Sequence, residues 1–279
     1  SPTPSLGGFI YTRSDIWAVK MVSPTVAYAG GWGSSAAGLQ PTIHIKTTNG
    51  GQSWEYITQT EENRTYENLY GYYFKDENTG IAVGAATRGT FVARTFDGGQ
   101  NWIPIPAPFG TTMRAVSGIG DKLWAAGGAG LLATSNDFGA TWKLLTPIPS
   151  STLHGFTFTS SMTGYAAGFD GVFIKTTDGG GTFKGSYITA GGRCYNVQDI
   201  HFLNDNIGFA AHSYRMVTKT TNGGQSWFQI LPDTIPATFT NSGIHFIDEL
   251  HGVVVGRIAT NTDVIYRTTD GGQNWSTQL

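Results

Sequence analysis

The chain alternates short apolar segments with polar turns, and the same order of segments returns along its whole length. In residues 72–84 an apolar segment ends in a polar turn with glycine, and a segment of small residues follows at once. Residues 156–168, 200–212 and 244–256 repeat this pattern in full, and residues 18–30 and 116–127 are looser copies. No stretch keeps a helical period over ten residues. The pattern therefore predicts pairs of short β-strands joined by tight turns.

A nine-residue motif runs in phase with these segments and occurs six times. Its fullest form is Lys or Arg followed by Thr-Thr, Asp or Asn, Gly-Gly-Gln, Ser or Asn, and Trp. Its closing aromatic residues are spaced 48, 40, 41, 44 and 48 positions apart; they are Trp54, Trp102, Trp142, Phe183, Trp227 and Trp275. Each unit thus holds four strands, and a period of 40–48 residues with four strands is that of a β-propeller blade.

The repeats predict an all-β fold, a six-bladed β-propeller with four antiparallel strands per blade, and a seven-bladed ring is the alternative. Residues 1–279 are expected to form one domain, with blades at 15–58, 59–106, 107–148, 149–188, 189–232 and 233–279. The first eleven residues lie outside the repeats. We expect them either to pair with the last blade or to form a tail.

Composition narrows the classes of function. Charged residues make up only 13% of the chain, the net charge is −2 and aromatic residues reach 13%, which excludes a disordered chain and disfavours a nucleic-acid binder. No apolar run reaches 18 residues, so we expect no membrane insertion. The single cysteine, Cys194, excludes an internal disulfide and a cysteine-based zinc site. We expect a monomer without metal or cofactor that is secreted, periplasmic or at the cell surface.

The repeated motif resembles the Asp-box of the sialidase-type BNR repeats, S/T-x-D-x-G-x-T-W. Residues 134–142 match that box closely, with Asp137, Gly139, Thr141 and Trp142 in their expected places. The longer form is similar to the repeats of photosystem II assembly factors, of exported bacterial propellers and of xyloglucanases. The resemblance implies that the boxes are structural and lie between the third and fourth strands, away from an active site. It assigns this role to the closing aromatics and to Asn49, Asp97, Asp137, Asp178, Asn222 and Asp270.

Departures from the repeat are where function is expected, on the face opposite the boxes. One variable position of the innermost strands holds Trp17, Tyr70, Arg114, His154, Gln198 and Ser242. The next position is small in five blades but is Asp199 in the fifth, and His212 replaces a glycine in the same blade. The candidate binding residues are Trp17, Trp32, Tyr70, Arg88, Arg114, His154, Arg193, Asp199, His212, Tyr214, Arg215 and Arg257.

Each group of candidates also has a structural interpretation. The arginines suit an anionic ligand, because their planar fork matches carboxylates and sulfates, or they are solvated and paired with nearby acids. The aromatics suit a sugar or peptide platform, or are ordinary rim residues. Asp199 and His212 form a functional pair, fill space between blades, or are two unrelated exceptions.

The preferred hypothesis is a non-catalytic propeller that binds a protein or carbohydrate ligand, with an anionic ligand as one option. The alternative is a sialidase-like or other glycoside hydrolase. For the hydrolase the resemblance implies three convergent arginines, a Tyr–Glu nucleophile pair and an acid. The candidates are Arg114, Arg215 and Arg257 for the clamp, Tyr70 with Glu67, and Asp170 or Asp199. The Phe-Arg-Ile-Pro motif of that family is missing before the first blade.

Overall fold

Short strands form where the apolar segments and glycine turns predict them. The computed structural model describes residues 5–6, 9–35, 42–57, 68–86, 89–106, 109–145, 151–190, 192–230, 235–258 and 262–277. Apart from two three-residue 3-10 turns, the regular structure of these residues is β throughout. Among these residues six larger antiparallel sheets follow one another in chain order, the first built from five strands and the other five from four strands each. This confirms the predicted six-bladed β-propeller.

The chain divides into two compact units, and the first, Ser1–Leu144, holds three blades. A short strand β1 (Ser5–Leu6) pairs with the start of β2 (Phe9–Met21), so these two residues extend the sheet of blade one. Blade one continues with β3 (Ala27–Ser35), β4 (Thr42–Thr47) and β5 (Glu55–Tyr56). The other strands are β6 (Asn68–Phe74), β7 (Gly80–Ala86), β8 (Gly89–Thr95) and β9 (Ile103–Pro104) of blade two, and β10 (Met113–Ile119), β11 (Lys122–Gly127), β12 (Leu132–Ser135) and β13 (Lys143–Leu144) of blade three.

The second unit, Leu145–Leu279, holds three further blades. Blade four contains β14 (Leu153–Phe158), β15 (Gly164–Gly168), β16 (Val172–Thr176) and β17 (Lys184–Tyr187). A small additional hairpin, β18 (Thr189–Ala190) and β19 (Arg193–Cys194), precedes blade five. The remaining strands are β20 (Val197–Phe202), β21 (Gly208–His212), β22 (Met216–Thr220) and β23 (Phe228–Gln229) of blade five, and β24 (Thr240–Phe246), β25 (Gly252–Ile258), β26 (Thr262–Thr268) and β27 (Ser276–Thr277) of blade six.

Aromatic rings stack across the boundaries between consecutive blades within each unit. The ring of Tyr28 in β3 lies 4.0 Å from that of Phe74 in β6. In the second unit the ring centroids of Tyr165 and Phe202 are 3.6 Å apart. Those of Phe209 and Phe246 are also 3.6 Å apart. Each pair joins the second strand of one blade to the first strand of the next, so that the apolar core lies between the blades.

A glycine at the start of the second strand makes room for the phenylalanine of its own blade. A Cβ placed on Gly208 would lie less than 3.0 Å from the ring of Phe202. The same overlap arises at three further pairs, Gly80 with Phe74, Gly164 with Phe158, and Gly252 with Phe246. The glycine in the repeated turn is therefore a packing requirement.

The six copies of the motif, called box turns below, lie between the third and fourth strand of each blade. In blade three the Ser135 hydroxyl donates to Asp137 Oδ1 over 2.7 Å and accepts the Gly139 N–H over 2.8 Å. Asp137 Oδ1 also accepts the N–H of Thr141 over 2.8 Å. The same bonds recur in the other five blades, around Asn49, Asp97, Asp178, Asn222 and Asp270. The side chain at this position thus organises the turn.

The residue four positions after the Asp or Asn of a box turn differs according to which of the two is present. Asn49 and Asn222 each donate an amide N–H to a serine hydroxyl, whereas Asp97, Asp137, Asp178 and Asp270 each accept from Asn or Thr. The Thr141 hydroxyl holds the pKa of Asp137 at about 2, below its usual range. Aspartate and asparagine are interchangeable here because each finds a partner of the matching donor or acceptor type.

Three of the aromatic residues that close the box turns, Trp102, Trp227 and Trp275, contact the preceding blade. The ring of Trp102 lies 5.1 Å from that of His44, which belongs to blade one. In the second unit Trp227 meets Phe173 of blade four with ring centroids 5.5 Å apart. The indole N–H of Trp275 donates to the carbonyl of Ile230 in blade five over 3.3 Å.

A Gly208→Ala substitution is expected to lower the free energy of unfolding by about 1–3 kcal/mol, because the added methyl group overlaps the Phe202 ring. The matched control is Gly185→Ala in β17, where nothing lies within 4 Å of the added Cβ, and it should be neutral. Urea unfolding of the three proteins measures the difference. Equal midpoints for the two variants would show that the ring does not need this glycine.

Candidate functional site

Each inner strand contains a β-bulge, and the bulged residue is the variable position found in the sequence. In β10 the pairing with β11 passes from Met113 directly to Ala115, which leaves Arg114 without a ladder partner. The register shifts in the same way around the other five residues, Trp17, Tyr70, His154, Gln198 and Ser242. A bulged residue is released from the cross-strand pairing and its side chain is re-aimed, which accounts for the freedom of this position.

The bulged residues of the first three blades form one stack, called the bulge ladder below. The rings of Trp17 and Tyr70 are 5.1 Å apart and nearly parallel, with an interplanar angle of 14°. The Arg114 guanidinium carbon lies 5.0 Å from the centre of the Tyr70 ring. Trp17 is 43% exposed, and Arg114 Nε has no hydrogen-bond partner among the described residues. The exposed Trp17 indole therefore stacks on the Tyr70 ring, and that ring also contacts the Arg114 cation.

In the second unit the bulged residues form a hydrogen-bonded chain. His154 Nδ1 lies 3.2 Å from Gln198 Oε1, and Gln198 Nε2 donates to the Ser213 hydroxyl over 2.9 Å. The His154 ring also lies 4.5 Å from that of Phe169, in the loop that follows β15. Bulges and second-to-third-strand loops are thus linked in blades four and five.

The loops between the second and third strands share a left-handed turn. Ala129 in blade three, Asp170 in blade four and Tyr214 in blade five have φ angles of 52°, 56° and 61°. The next residue is glycine in blades three and four, but in blade five it is Arg215, with φ 55°. Arg215 donates from its guanidinium to the carbonyl of Ile235 over 2.7 Å, and Tyr214 stays 75% exposed. Non-glycine residues in this region cost free energy and mark positions fixed by their surroundings.

Asp199 connects blade five to blade six. Its Oδ1 accepts the N–H of Ile200 over 2.9 Å, and its Oδ2 accepts the N–H of Ile244 in β24 over 3.1 Å. Burial raises the pKa of this carboxyl to about 6, and the two backbone donors oppose that rise. Blade four has Gly155 in the same position, where a Cβ would lie 2.7 Å from the Ile200 nitrogen.

His212 is buried at the end of β21, and its Nε2 lies 2.9 Å from the Thr218 hydroxyl. Burial lowers the pKa of its imidazole to about 4, so the ring is neutral at pH 7. Its backbone carbonyl accepts the amide of Asn241 in blade six, which also bonds the Met216 carbonyl. Asp199 and His212 make no hydrogen bond to each other. Both belong to the boundary between blades five and six.

The other candidates lie apart from these clusters. Trp32 is partly buried in β3, and Arg193 is exposed in the β18–β19 hairpin. Arg257 is exposed and pairs with Asp263 over 3.0 Å, as expected for a solvated arginine. Arg88 lies outside the described residues.

Sequence reasoning missed the contacts that the candidates make with their neighbours. The bulge ladder, the link from His154 to Gln198 and the Asn241 amide all join different blades. The glycine or alanine that follows most bulged residues was the available signal, since small residues there let the first strands of neighbouring blades approach closely.

In the described part of the chain, no three His, Cys, Asp or Glu side chains come together that could hold a metal ion. Nor does that part include a helix with the length and apolar character needed to cross a bilayer.

Comparisons with known proteins agree with the repeat motif. Residues 146–279 match the sequence model of the family described as photosynthesis system II assembly factor YCF48. A search of curated proteins by sequence found no match. A solved structure of YCF48 bound to a D1 peptide is 15% identical, with a TM-score of 0.72 over 100% of this chain and 86% of that chain.

Two further structures share the fold. YCF48 from Cyanidioschyzon merolae is 14% identical, with a TM-score of 0.68 over 97% of this chain and 88% of the other. A GH74 xyloglucanase from Xanthomonas campestris is 15% identical, with a TM-score of 0.74 over 95% of this chain but only 45% of the enzyme. At these identities the structural likeness shows the fold alone. Together with the family match, it confirms a BNR-type β-propeller related to the photosystem II assembly factor.

The buried Asp199 carboxyl predicts a pH-dependent stability. Because the pKa of Asp199 is raised from 3.8 to about 6, its contribution to the free energy of unfolding is complete below about pH 4. This contribution is lost as the pH rises through 6. Between pH 4 and pH 7 the free energy of unfolding of the wild-type protein should therefore fall by up to about 3 kcal/mol relative to that of Asp199→Asn. Urea unfolding across this range measures it, with Asp263→Asn as the exposed control. Parallel curves for wild type and Asp199→Asn would contradict the assignment.

Proposed function

We propose that this chain is a protein-binding scaffold that engages its partner through the bulge ladder of its first three blades. The observation that carries the proposal is the stack of Trp17, Tyr70 and Arg114, in which an open indole is continuous with a π-stacked guanidinium. Its relation to YCF48, a protein whose solved structure holds a peptide, supports a polypeptide as the ligand.

The ladder suits a polypeptide for physical reasons. Tryptophan, tyrosine and arginine are enriched at the centres of protein interfaces, because they bury a large area and lose few rotamers. The Trp17 indole can take an aromatic side chain or a proline ring on its free face. The Arg114 guanidinium, a planar cation, adds affinity for a carboxylate or carbonyl oxygen of the same segment.

The hydrolase alternative finds less support in the second unit. Arg215 is engaged with the carbonyl of Ile235, and Arg257 with the carboxylate of Asp263. Both oxygens of Asp199 accept backbone N–H groups. Residues proposed for a substrate clamp or an acid are thus occupied by structural bonds.

The scaffold is proposed to act outside the cytoplasm, in the periplasm, at the cell surface or in the medium. A charged fraction of 13%, with many glycines and aromatics, supports this location. Expression of the full-length gene in its native host should yield the protein outside the cytoplasmic fraction, which immunoblotting of fractionated cells measures. Recovery with a cytoplasmic marker enzyme would reject the location and leave the binding proposal untouched.

Replacement of Trp17 by Ala or of Arg114 by Gln is expected to weaken peptide binding about tenfold each, because each removes one layer of the ladder. Random peptides and a glycan panel are screened on the wild-type protein, and the best binders are titrated against each variant. The control is Tyr187→Ala, an outer-strand aromatic that is 57% exposed, and it should stay within about twofold of wild type.

Two results would reject this function. One is binding of glycans with no peptide bound above background. The other is a loss in the Trp17 and Arg114 variants no larger than in the Tyr187 control. Thermal melts of all variants separate lost binding from lost folding.

A further inference from the structure

The turn between the first two strands of blade six carries two exposed apolar side chains beside two acidic ones. Ile247 and Leu250 flank Asp248 and Glu249 in this turn, and both apolar side chains are exposed. The position of Leu250 is taken by Asn78 in blade two and by Asn206 in blade five. The scaffold therefore does not require leucine at this position, which Met162 occupies in blade four.

Leu250 borders an open groove of about 530 Å³ beside the box turn of blade six. Phe228 and Ile230 of blade five contribute further apolar side chains, and Phe228 is itself exposed. Asp270 and the glycines of the box turn form another part of the lining. A contiguous exposed apolar surface with a polar rim is typical of an interaction site.

A second groove, of about 620 Å³, adjoins the first at Glu249, which lines both. Its other lining residues are Thr159, Leu203, Asn204, Asp205, Asn206, Ile207 and Thr221.

The charges that line the grooves are mainly negative. Three carboxylates, Asp205, Glu249 and Asp270, face one amine, that of Lys219, which lies 3.7 Å from Glu249. The backbone N–H of Asn274 is the main cause that holds the pKa of Asp270 at about 2, so this group is charged at neutral pH. An excess of negative charge disfavours anionic lipids and nucleic acids and attracts a basic partner.

We propose that this surface, called the blade-six groove, binds a basic segment of a partner protein. An apolar side chain of that segment contacts Phe228 and Leu250, and its lysine or arginine side chains pair with Glu249 and Asp270. This interaction is separate from the bulge ladder, so either can fail without the other.

The test uses a short fluorescein-labelled peptide of alternating lysine and leucine, with a glutamate–leucine peptide for comparison. Fluorescence anisotropy on the whole chain should show binding of the lysine peptide that weakens as salt rises. Leu250→Ser and Glu249→Lys are each expected to reduce its affinity about tenfold. The first removes the apolar contact, and the second reverses one charge of the rim.

The repeats supply matched controls. Met162 holds the position of Leu250 in the blade-four turn and is 52% exposed, against 51% for Leu250. Glu77 holds the position of Glu249 in blade two. Met162→Ser, Glu77→Lys and the ladder variant Trp17→Ala should each stay within about twofold of wild type.

Three results would overturn the proposal. The first is wild-type affinity in both blade-six variants. The second is an equal loss in the matched controls, which would mean diffuse attraction to an acidic protein. The third is equally tight binding of the glutamate–leucine peptide, which would mean that the charge plays no part. Retained thermal midpoints show that the exposed substitutions leave the fold intact.

Discussion

The packing of the blades depends on an aromatic stack that only glycine allows. A phenylalanine at the end of the first strand lies over the glycine that begins the second strand, where a Cβ would overlap its ring. Three of these phenylalanines also stack on an aromatic residue of the preceding blade: Phe74 on Tyr28, Phe202 on Tyr165 and Phe246 on Phe209. Each ring is therefore fixed by two blades at once, and such pairs contribute about 0.5–1.5 kcal/mol beyond the area they bury.

Polar bonds at the same boundaries reinforce the stack. The Tyr165 hydroxyl donates to the carbonyl of Asp205, in the next blade, over 2.8 Å. In the first unit the Tyr28 hydroxyl and the Lys46 amine both donate to the Gly98 carbonyl, inside the box turn of blade two. The box turn thus has two functions, since its side chains close the turn and its carbonyls receive the preceding blade. The motif therefore contributes to packing between blades as well as to the turn itself.

The fold was predictable because the signals are repeated. A single Asp-Gly or Asn-Gly turn is weak evidence, but six copies in phase with six strand pairs define the blade. The bulged position was also found from the sequence, as a column that varies beside a column of small residues. The aligned repeats do not show which neighbouring residue each side chain contacts. Asp199 and His212 depart from the repeat in one blade and were considered as a pair, yet the Asp199 carboxylate and the His212 carbonyl bond blade six separately, through Ile244 and Asn241.

Departures from the repeat are of two kinds: some side chains form bonds within the scaffold, and others leave apolar surface exposed to water. Asp199, His212 and Arg215 each replace a small residue, and each is compensated by bonds at the boundary between blades five and six. Trp17, Tyr214 and Leu250 depart in the opposite sense, because they leave large apolar surfaces exposed to water. Exposed apolar area gives no stability to the free chain, whereas it contributes about 25 cal/mol per Å² once a partner covers it. In a protein built from repeated blades, exposed apolar departures of this kind are therefore the observations on which both proposed binding surfaces rest, Trp17 for the bulge ladder and Leu250 for the blade-six groove.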